Sequence, residues 1–135
     1  MGMLIAAILA AGILGSLTDW LFMGVLFHDA YNTYPEIWRP GIQEGKEKAA
    51  ILWASGLGFV MSAGVIALCA LAGVSGVWSG LGVATLVWIA GPLTVIVVNG
   101  LFVKLDTKIT FAHCLSYLAR MLIAGAAAGL VLPLA

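Results

Sequence analysis

The sequence predicts an all-α integral membrane protein, a single domain over residues 1–135 in which four transmembrane helices form an antiparallel up-down bundle. Composition is the first reason, because 63% of the residues are hydrophobic and only 9% are charged, whereas about a quarter of a soluble domain is charged. The second reason is that the apolar residues form four runs, each long enough to cross a bilayer as a helix of roughly 20 residues. These runs do not alternate with a period of two, so a β-barrel is not expected.

Each predicted helix occupies one apolar run and ends where prolines, glycines or charges begin. We predict helices over residues 3–27, 47–72, 77–103 and 109–134. Within the third helix, Pro92 follows Gly91 and is expected to kink or loosen the helix. The connections at residues 73–76 and 104–108 are short, which makes sequential helices antiparallel neighbours.

The longest connection, residues 28–46, is polar and contains Pro35 and Pro40, which stop a helix. It also contains three aromatic residues of the kind that suit the headgroup layer of a membrane, Tyr31, Tyr34 and Trp38. We therefore expect this segment to be a polar loop at the membrane surface.

The lysines and arginines are distributed very unevenly along the chain. Five of the six lie in or beside the first and third connections, namely Arg39, Lys46, Lys48, Lys104 and Lys108, and none lies at either terminus or in the second connection. Cytoplasmic loops carry such an excess. We therefore predict a multi-pass protein of the cell inner (plasma) membrane, with loops 28–46 and 104–108 cytoplasmic and both termini extracytoplasmic.

Small residues are abundant in the predicted helices. Residues 125–129 form a Gly-x-x-x-Gly pattern, and further small surfaces come from Gly12, Gly15, Gly56, Gly58, Gly80 and Gly82. Glycines let membrane helices approach closely, either within one chain or between chains. Their number favours a homo-oligomer or a membrane-protein partner besides the lipid bilayer. The formal net charge is zero, so nucleic acid is not an expected partner.

Two charged residues, Asp19 and Arg120, lie well inside predicted helices, away from the helix ends, where ionisable groups are costly and usually face the protein interior or a wet cavity. With a rise of about 1.5 Å per residue, Asp19 lies about 12 Å and Arg120 about 16 Å from the predicted cytoplasmic ends of their helices. These depths predict an ion pair between Asp19 and Arg120. His113, Tyr117 and Arg120 share one helix face, and Asn99 and His28 are placed towards the same end.

We therefore predict one cytoplasm-facing polar pocket that serves as a substrate or ion pathway, lined by Asp19, His28, Asn99, His113, Tyr117 and Arg120. For each residue a structural interpretation stays open. The pair can be only a clasp between helices, His28 can simply be solvated, and His113 and Asn99 can each hydrogen-bond a neighbouring helix.

Three classes of function are compatible with a small membrane protein. The pocket favours a transporter or channel-like protein, and the alternative is a non-catalytic scaffold or accessory subunit of a membrane complex. A haem protein would need His28 and His113 as ligands, but no attachment motif is present, so no cofactor is predicted. We predict no enzyme and no catalytic residue, because nucleophile–base spacing, a zinc motif and a phosphate loop are all missing from the sequence.

The pattern Gly15-x4-Trp20-x-Phe22-x3-Leu26-Phe27-x3-Tyr31 resembles an uncharacterised family of small four-helix bacterial membrane proteins. That family has a glycine, a Trp-Tyr pair, then Leu-Phe and a further aromatic residue at the end of helix one. The C-terminal half is similar as well, with Leu101-Phe102 before the charged link and small residues in the last helix. Residues 21 and 22 are Leu and Phe here, where the family favours Trp-Tyr. The resemblance implies a fold and a topology, but no activity.

Overall fold

The computed structural model describes residues 1–39, 42 and 47–134, and every regular element among them is helical. Four helices are long and apolar enough to cross a membrane: Gly2–Leu26 (helix 1), Glu47–Leu71 (helix 2), Val77–Phe102 (helix 3) and Thr107–Leu134 (helix 4). The prediction of an all-helical chain with four candidate spans is confirmed. It indicates a multi-pass membrane protein.

Helix 4 is the centre of the structure. It packs against each of the other three helices, and helices 1 and 2 also pack against each other. Its buried residues are mostly small, among them Ala112, Ser116, Ala124 and Ala128. Because small side chains let helix axes approach closely, the neighbours can surround helix 4 on several sides.

Four glycines form the contact between helices 3 and 4. A Cβ atom at Gly80 would overlap the carbonyl oxygen of Gly125, and a Cβ atom at Gly129 would overlap that of Gly76. The Gly-x-x-x-Gly pattern of helix 4 is therefore used within the chain, where the backbones touch directly. Farther along helix 3, the Trp88 indole Nε1 donates to the Cys114 carbonyl oxygen at 2.9 Å.

Helix 4 begins at Thr107, two residues before the predicted start. Asp106 is the reason, because its side chain accepts a hydrogen bond from the Lys108 backbone N–H at 2.8 Å and so caps the helix. This bond and a second one from the Thr33 hydroxyl lower the pKa of Asp106.

Helices 1 and 3 each contain a π-helical segment. In helix 3 it covers Ile89–Leu93 and contains Pro92, whose missing N–H and bulky ring disturb the α-helical bonding there. In helix 1 it covers Trp20–Leu26 and contains no proline, so it could not be predicted from the residue types. Wider π-helical turns inside α-helices are frequent at functional sites.

Helix 2 ends in a turn that needs glycine. The Gly73 N–H donates to the Ala70 carbonyl and the Val74 N–H to the Cys69 carbonyl, which is the Schellman pattern. Gly73 has a φ of 68°, a left-handed conformation that other residues adopt only with strain.

The loop after helix 1 packs against the link between helices 3 and 4. The Lys104 ammonium contacts a Glu36 carboxylate oxygen at 2.7 Å and lies 4.4 Å from the centre of the Tyr34 ring. The hydrogen bond to Lys104 lowers the pKa of Glu36, and the same bond raises the pKa of Lys104. Both groups are exposed, so the pair adds little to stability. Pro40 and Lys46, which belong to the predicted loop, lie outside the described residues.

Candidate functional site

Arg120 lies in the middle of helix 4 and is almost completely buried, with 2% of its side chain exposed. It is the largest side chain buried to this extent among the described residues. A buried arginine keeps its charge, so a counter-charge has to lie nearby.

Asp19 supplies that counter-charge from helix 1. The Arg120 guanidinium donates through Nη2 to one carboxylate oxygen of Asp19, and the Ser116 hydroxyl donates to the other. The ion pair between Asp19 and Arg120 is thus present as the sequence predicted. Asp19 is the accessible member of this cluster, with 28% of its side chain exposed, while Ser116 is fully buried.

Two glycines hold the arginine side chain in a slot. A Cβ atom at Gly58 of helix 2 would overlap the guanidinium, and a Cβ atom at Gly15 of helix 1 would come within 2.9 Å of the Arg120 Cγ. The slot leaves one donor unused, because the buried Nη1 of Arg120 has no hydrogen-bond partner among the described residues. Such an unsatisfied buried donor is unusual in a native protein.

A second polar contact lies one helical turn from Ser116. The Tyr31 hydroxyl and the His113 Nε2 are 2.7 Å apart, which ties the loop after helix 1 to helix 4. Trp38 stacks on Tyr31, with ring centres 5.4 Å apart, and its Nε1 donates to the Tyr31 carbonyl oxygen at 2.9 Å. Burial raises the pKa of Tyr31 to about 12.

The six residues of the predicted pocket are not gathered in one place. Asp19 and Arg120 form the pair, and His113 bonds to Tyr31, a short distance along the same helix. Tyr117 is half-buried, whereas Asn99 and His28 are exposed. Among the described residues, the side chains of these three have no hydrogen-bond partner. We therefore restrict the candidate site to the ion pair, Ser116 and the slot glycines, with His113 beside them.

A separate groove of about 450 Å³ lies between helix 3 and the beginning of helix 4. Its lining is largely apolar and includes Trp88, Gly100, Phe111 and Cys114, but none of the six predicted pocket residues. The predicted polar pocket is therefore not this groove.

Some residues of the candidate site were not assigned to it from the sequence. Ser116 is not among the six predicted pocket residues, and Gly15 and Gly58 were predicted only as small packing residues. A usable signal existed for Ser116, because a residue four positions before Arg120 lies on the same face of the helix. For Gly58, no pattern in the sequence indicates that its neighbour is an arginine.

A family model described as "Protein of unknown function (DUF1761)" matches residues 6–129, which include all six predicted pocket residues. No curated protein and no solved structure matches the chain. The predicted resemblance to an uncharacterised family is confirmed. The bacterial source and the Trp-Tyr detail of that resemblance stay predictions.

Proposed function

The chain belongs to the DUF1761 family, whose function is unknown, and we propose from its own site that it is a small transport or channel-like protein of the cell inner membrane. The observation that carries this proposal is the buried Arg120 whose partner, Asp19, is partly exposed. Ions or protons can then reach the carboxylate, while the arginine stays fixed beside it.

A purely structural role explains the pair less well. Apolar residues of similar volume often stabilise a protein as well as a buried ion pair does, and charges inside a membrane commonly mark ion or substrate pathways. The Nη1 donor of Arg120, which has no hydrogen-bond partner within the described part of the chain, adds to this, because a clasp kept only for stability is expected to use its donors fully.

The proposed topology is an antiparallel bundle with both termini extracytoplasmic and the first and third connections in the cytoplasm. Two sets of contacts support it. Gly80 lies beside Gly125, while Gly100 lies near Thr110 at the other end of helices 3 and 4. The loop after helix 1 also touches the link before helix 4 through Lys104. The one-sided distribution of positive charge supports the orientation.

Flux in proteoliposomes tests the proposal. The purified protein is reconstituted with a pH-sensitive dye inside, and proton entry is followed after a pH step, with empty liposomes as the blank. We expect flux for the wild type, loss of flux for Asp19→Asn, and retained flux for Asp29→Asn, which removes an exposed carboxylate. Equal flux in wild type and Asp19→Asn, after size-exclusion chromatography has shown both to be folded, contradicts the proposal.

A scaffold or accessory subunit is the second candidate, and the outer surface of helix 3 favours it. Helix 3 packs mainly on helix 4, and large apolar side chains such as Trp78, Leu101 and Phe102 are more than three-quarters exposed. Lipid, a second copy of the chain or another membrane protein can cover that surface. A partner that co-purifies at fixed stoichiometry, together with no flux, supports this alternative, whereas a lone monomer counts against it. Neither candidate involves an enzymatic step, a cofactor or nucleic acid.

A further inference from the structure

We infer that Asp19 and Arg120 form a proton-coupled anion site, in which Arg120 binds a small monovalent carboxylate after Asp19 has taken up a proton. The inference rests on the proposed transport function and names the substrate class of the same site. It follows from the charge balance of the cluster, from its hydrogen-bond donors and from the different exposure of the two partners.

The charge balance comes first. With Asp19 ionised, the pair is neutral, and a buried Arg120 is compensated. When Asp19 binds a proton, the guanidinium remains charged and is left unpaired in a position that is 2% exposed, which is unfavourable in a low-dielectric interior. An anion restores neutrality. The site is therefore neutral both with ionised Asp19 and with protonated Asp19 plus one bound anion.

The donors indicate which anion fits. The site holds the carboxylate of Asp19 by both oxygens, one on Arg120 Nη2 and the other on the Ser116 hydroxyl. Protonation of Asp19 weakens these two bonds, and Nη1 of Arg120 is a third donor that has no partner at all among the described residues. A guanidinium matches the two oxygens of a planar carboxylate better than a spherical ion. The arrangement of these donors therefore points to a small carboxylate such as formate or acetate.

The exposure of the partners indicates which of them moves. Gly15 and Gly58 enclose Arg120 closely, so the guanidinium cannot follow a departing carboxylate. Asp19 is 28% exposed and is followed directly by the π-helical part of helix 1. An anion therefore reaches Arg120 from the side of Asp19, as the Asp19 side chain rotates away.

Other titratable groups near Asp19 have to be separated from it in the test. His113 on helix 4 is close enough to interact electrostatically with Asp19, and it contacts Tyr31 of the loop. From helix 2, Gly58 lies against Arg120, and it does not titrate. A pH effect caused by His113 persists in Asp19→Asn, whereas an effect caused by Asp19 does not.

Thermal unfolding in detergent measures binding, since a ligand that binds only the folded state raises its stability. We compare three proteins: wild type, Asp19→Asn and the double variant D19N/R120Q. Each is measured in sodium formate and in an equal concentration of sodium chloride, at about pH 5 and about pH 7.5. Two pH values are needed because coupled binding of one proton changes the affinity for formate by up to about tenfold per pH unit. The double variant removes both charges, so its site stays neutral without an anion.

We expect formate to stabilise the wild type at the lower pH only and Asp19→Asn at both, with no effect on D19N/R120Q. Stabilisation of the wild type that is equal at both pH values, or equally strong in the double variant, overturns the inference. Equal stabilisation by chloride overturns the assignment to carboxylates. If Asp19→Asn does not fold, the wild type at the two pH values and the double variant still decide.

The results also separate this inference from the proposed function. Proton flux that depends on Asp19, without any effect of formate on stability, leaves the transport proposal standing and overturns the carboxylate site. Formate binding that requires Arg120, without flux in proteoliposomes, supports the carboxylate site and contradicts the transport proposal.

Discussion

Replacement of Gly58 by alanine tests the slot around Arg120. The new methyl group would overlap the guanidinium, and Gly15 of helix 1 also packs against the arginine side chain. We therefore expect Gly58→Ala to separate Arg120 from Asp19 while leaving both charged residues in the chain. The variant thus breaks the ion pair without removing either partner.

The size of the effect follows from two opposing contributions. Breaking a buried ion pair lowers the free energy of unfolding by about 3–5 kcal/mol. Alanine in place of glycine inside a helix raises it by about 1 kcal/mol. The expected net loss is about 2–4 kcal/mol of unfolding free energy. Because Asp19 is 28% exposed, water partly compensates the separated carboxylate, and we expect the lower part of this range.

Gly56 provides a matched control on the same helix. A Cβ atom there has nothing within 4 Å, so Gly56→Ala keeps only the gain from helix propensity, about 0.5–1 kcal/mol. The two variants have the same composition, and the substitutions lie two residues apart. Any effect of alanine on the detergent or on the unfolded chain is therefore shared.

Unfolding in mild detergent by increasing amounts of sodium dodecyl sulfate, followed by tryptophan fluorescence and circular dichroism, measures the difference. We expect Gly58→Ala to be less stable than wild type and Gly56→Ala to be at least as stable. If the two variants agree within about 0.5 kcal/mol, the usual scatter for substitutions without structural effect, then Arg120 is not confined by Gly58 and the account of the slot is wrong.

Three further predictions concern other contacts. Gly80→Leu should cost about 3 kcal/mol or more, because overpacking against a backbone leaves little room for adjustment, whereas Gly82→Leu, where a Cβ meets nothing within 4 Å, should be close to neutral in the same unfolding assay. Tyr31→Phe should cost about 1 kcal/mol by removing one hydrogen bond, with Tyr34→Phe as the neutral control. Burial raises the pKa of Tyr31 from 10.0 to about 12, so the folded state favours the neutral phenol. The stability that Tyr31 adds relative to phenylalanine should therefore be present below pH 10 and be lost as the pH rises towards 12. A difference in stability between wild type and Tyr31→Phe that does not change with pH refutes this reasoning. Gly73→Ala should lower stability by about 1 kcal/mol through its left-handed conformation, and an unchanged unfolding midpoint would show that the turn tolerates a side chain.

The helices were predictable because a long apolar run in lipid has to form a helix, in which every backbone group is hydrogen-bonded internally. Their exact ends and the local changes in their hydrogen bonding were not predictable. The early start of helix 4 depends on the side chain of Asp106. The π-helical part of helix 1 depends on backbone hydrogen bonds that no residue type predicts. The Gly-x-x-x-Gly pattern at residues 125–129 was recognisable, yet its partner, Gly76 and Gly80 of the same chain, follows only from the packing.

The depth of the site residues along their helices could be predicted from the sequence, but the direction in which each side chain points could not. The distance along a helix can be counted from the sequence, and the counts for Asp19 and Arg120 placed them at matching levels. Which way a side chain points around the bundle depends on how the helices pack, so Asn99, at a depth like that of His113, is exposed instead. The partner of His113 is Tyr31, 82 residues away in the sequence, so this contact depends on tertiary packing.

The position of Asp19 within helix 1 explains why the two charges behave differently. The α-helical part, Gly2–Asp19, carries all the buried residues of this helix, including Gly15 beside Arg120, and the π-helical part that follows has none. Asp19 is thus the last residue of the half that carries the buried residues. Arg120, by contrast, is fixed by two glycines from two different helices. The pair thus joins a buried arginine to a partly exposed carboxylate, and this asymmetry is what the proposed coupling of protonation to the binding of a second anion requires. A clasp kept for stability alone would be expected to bury both partners equally.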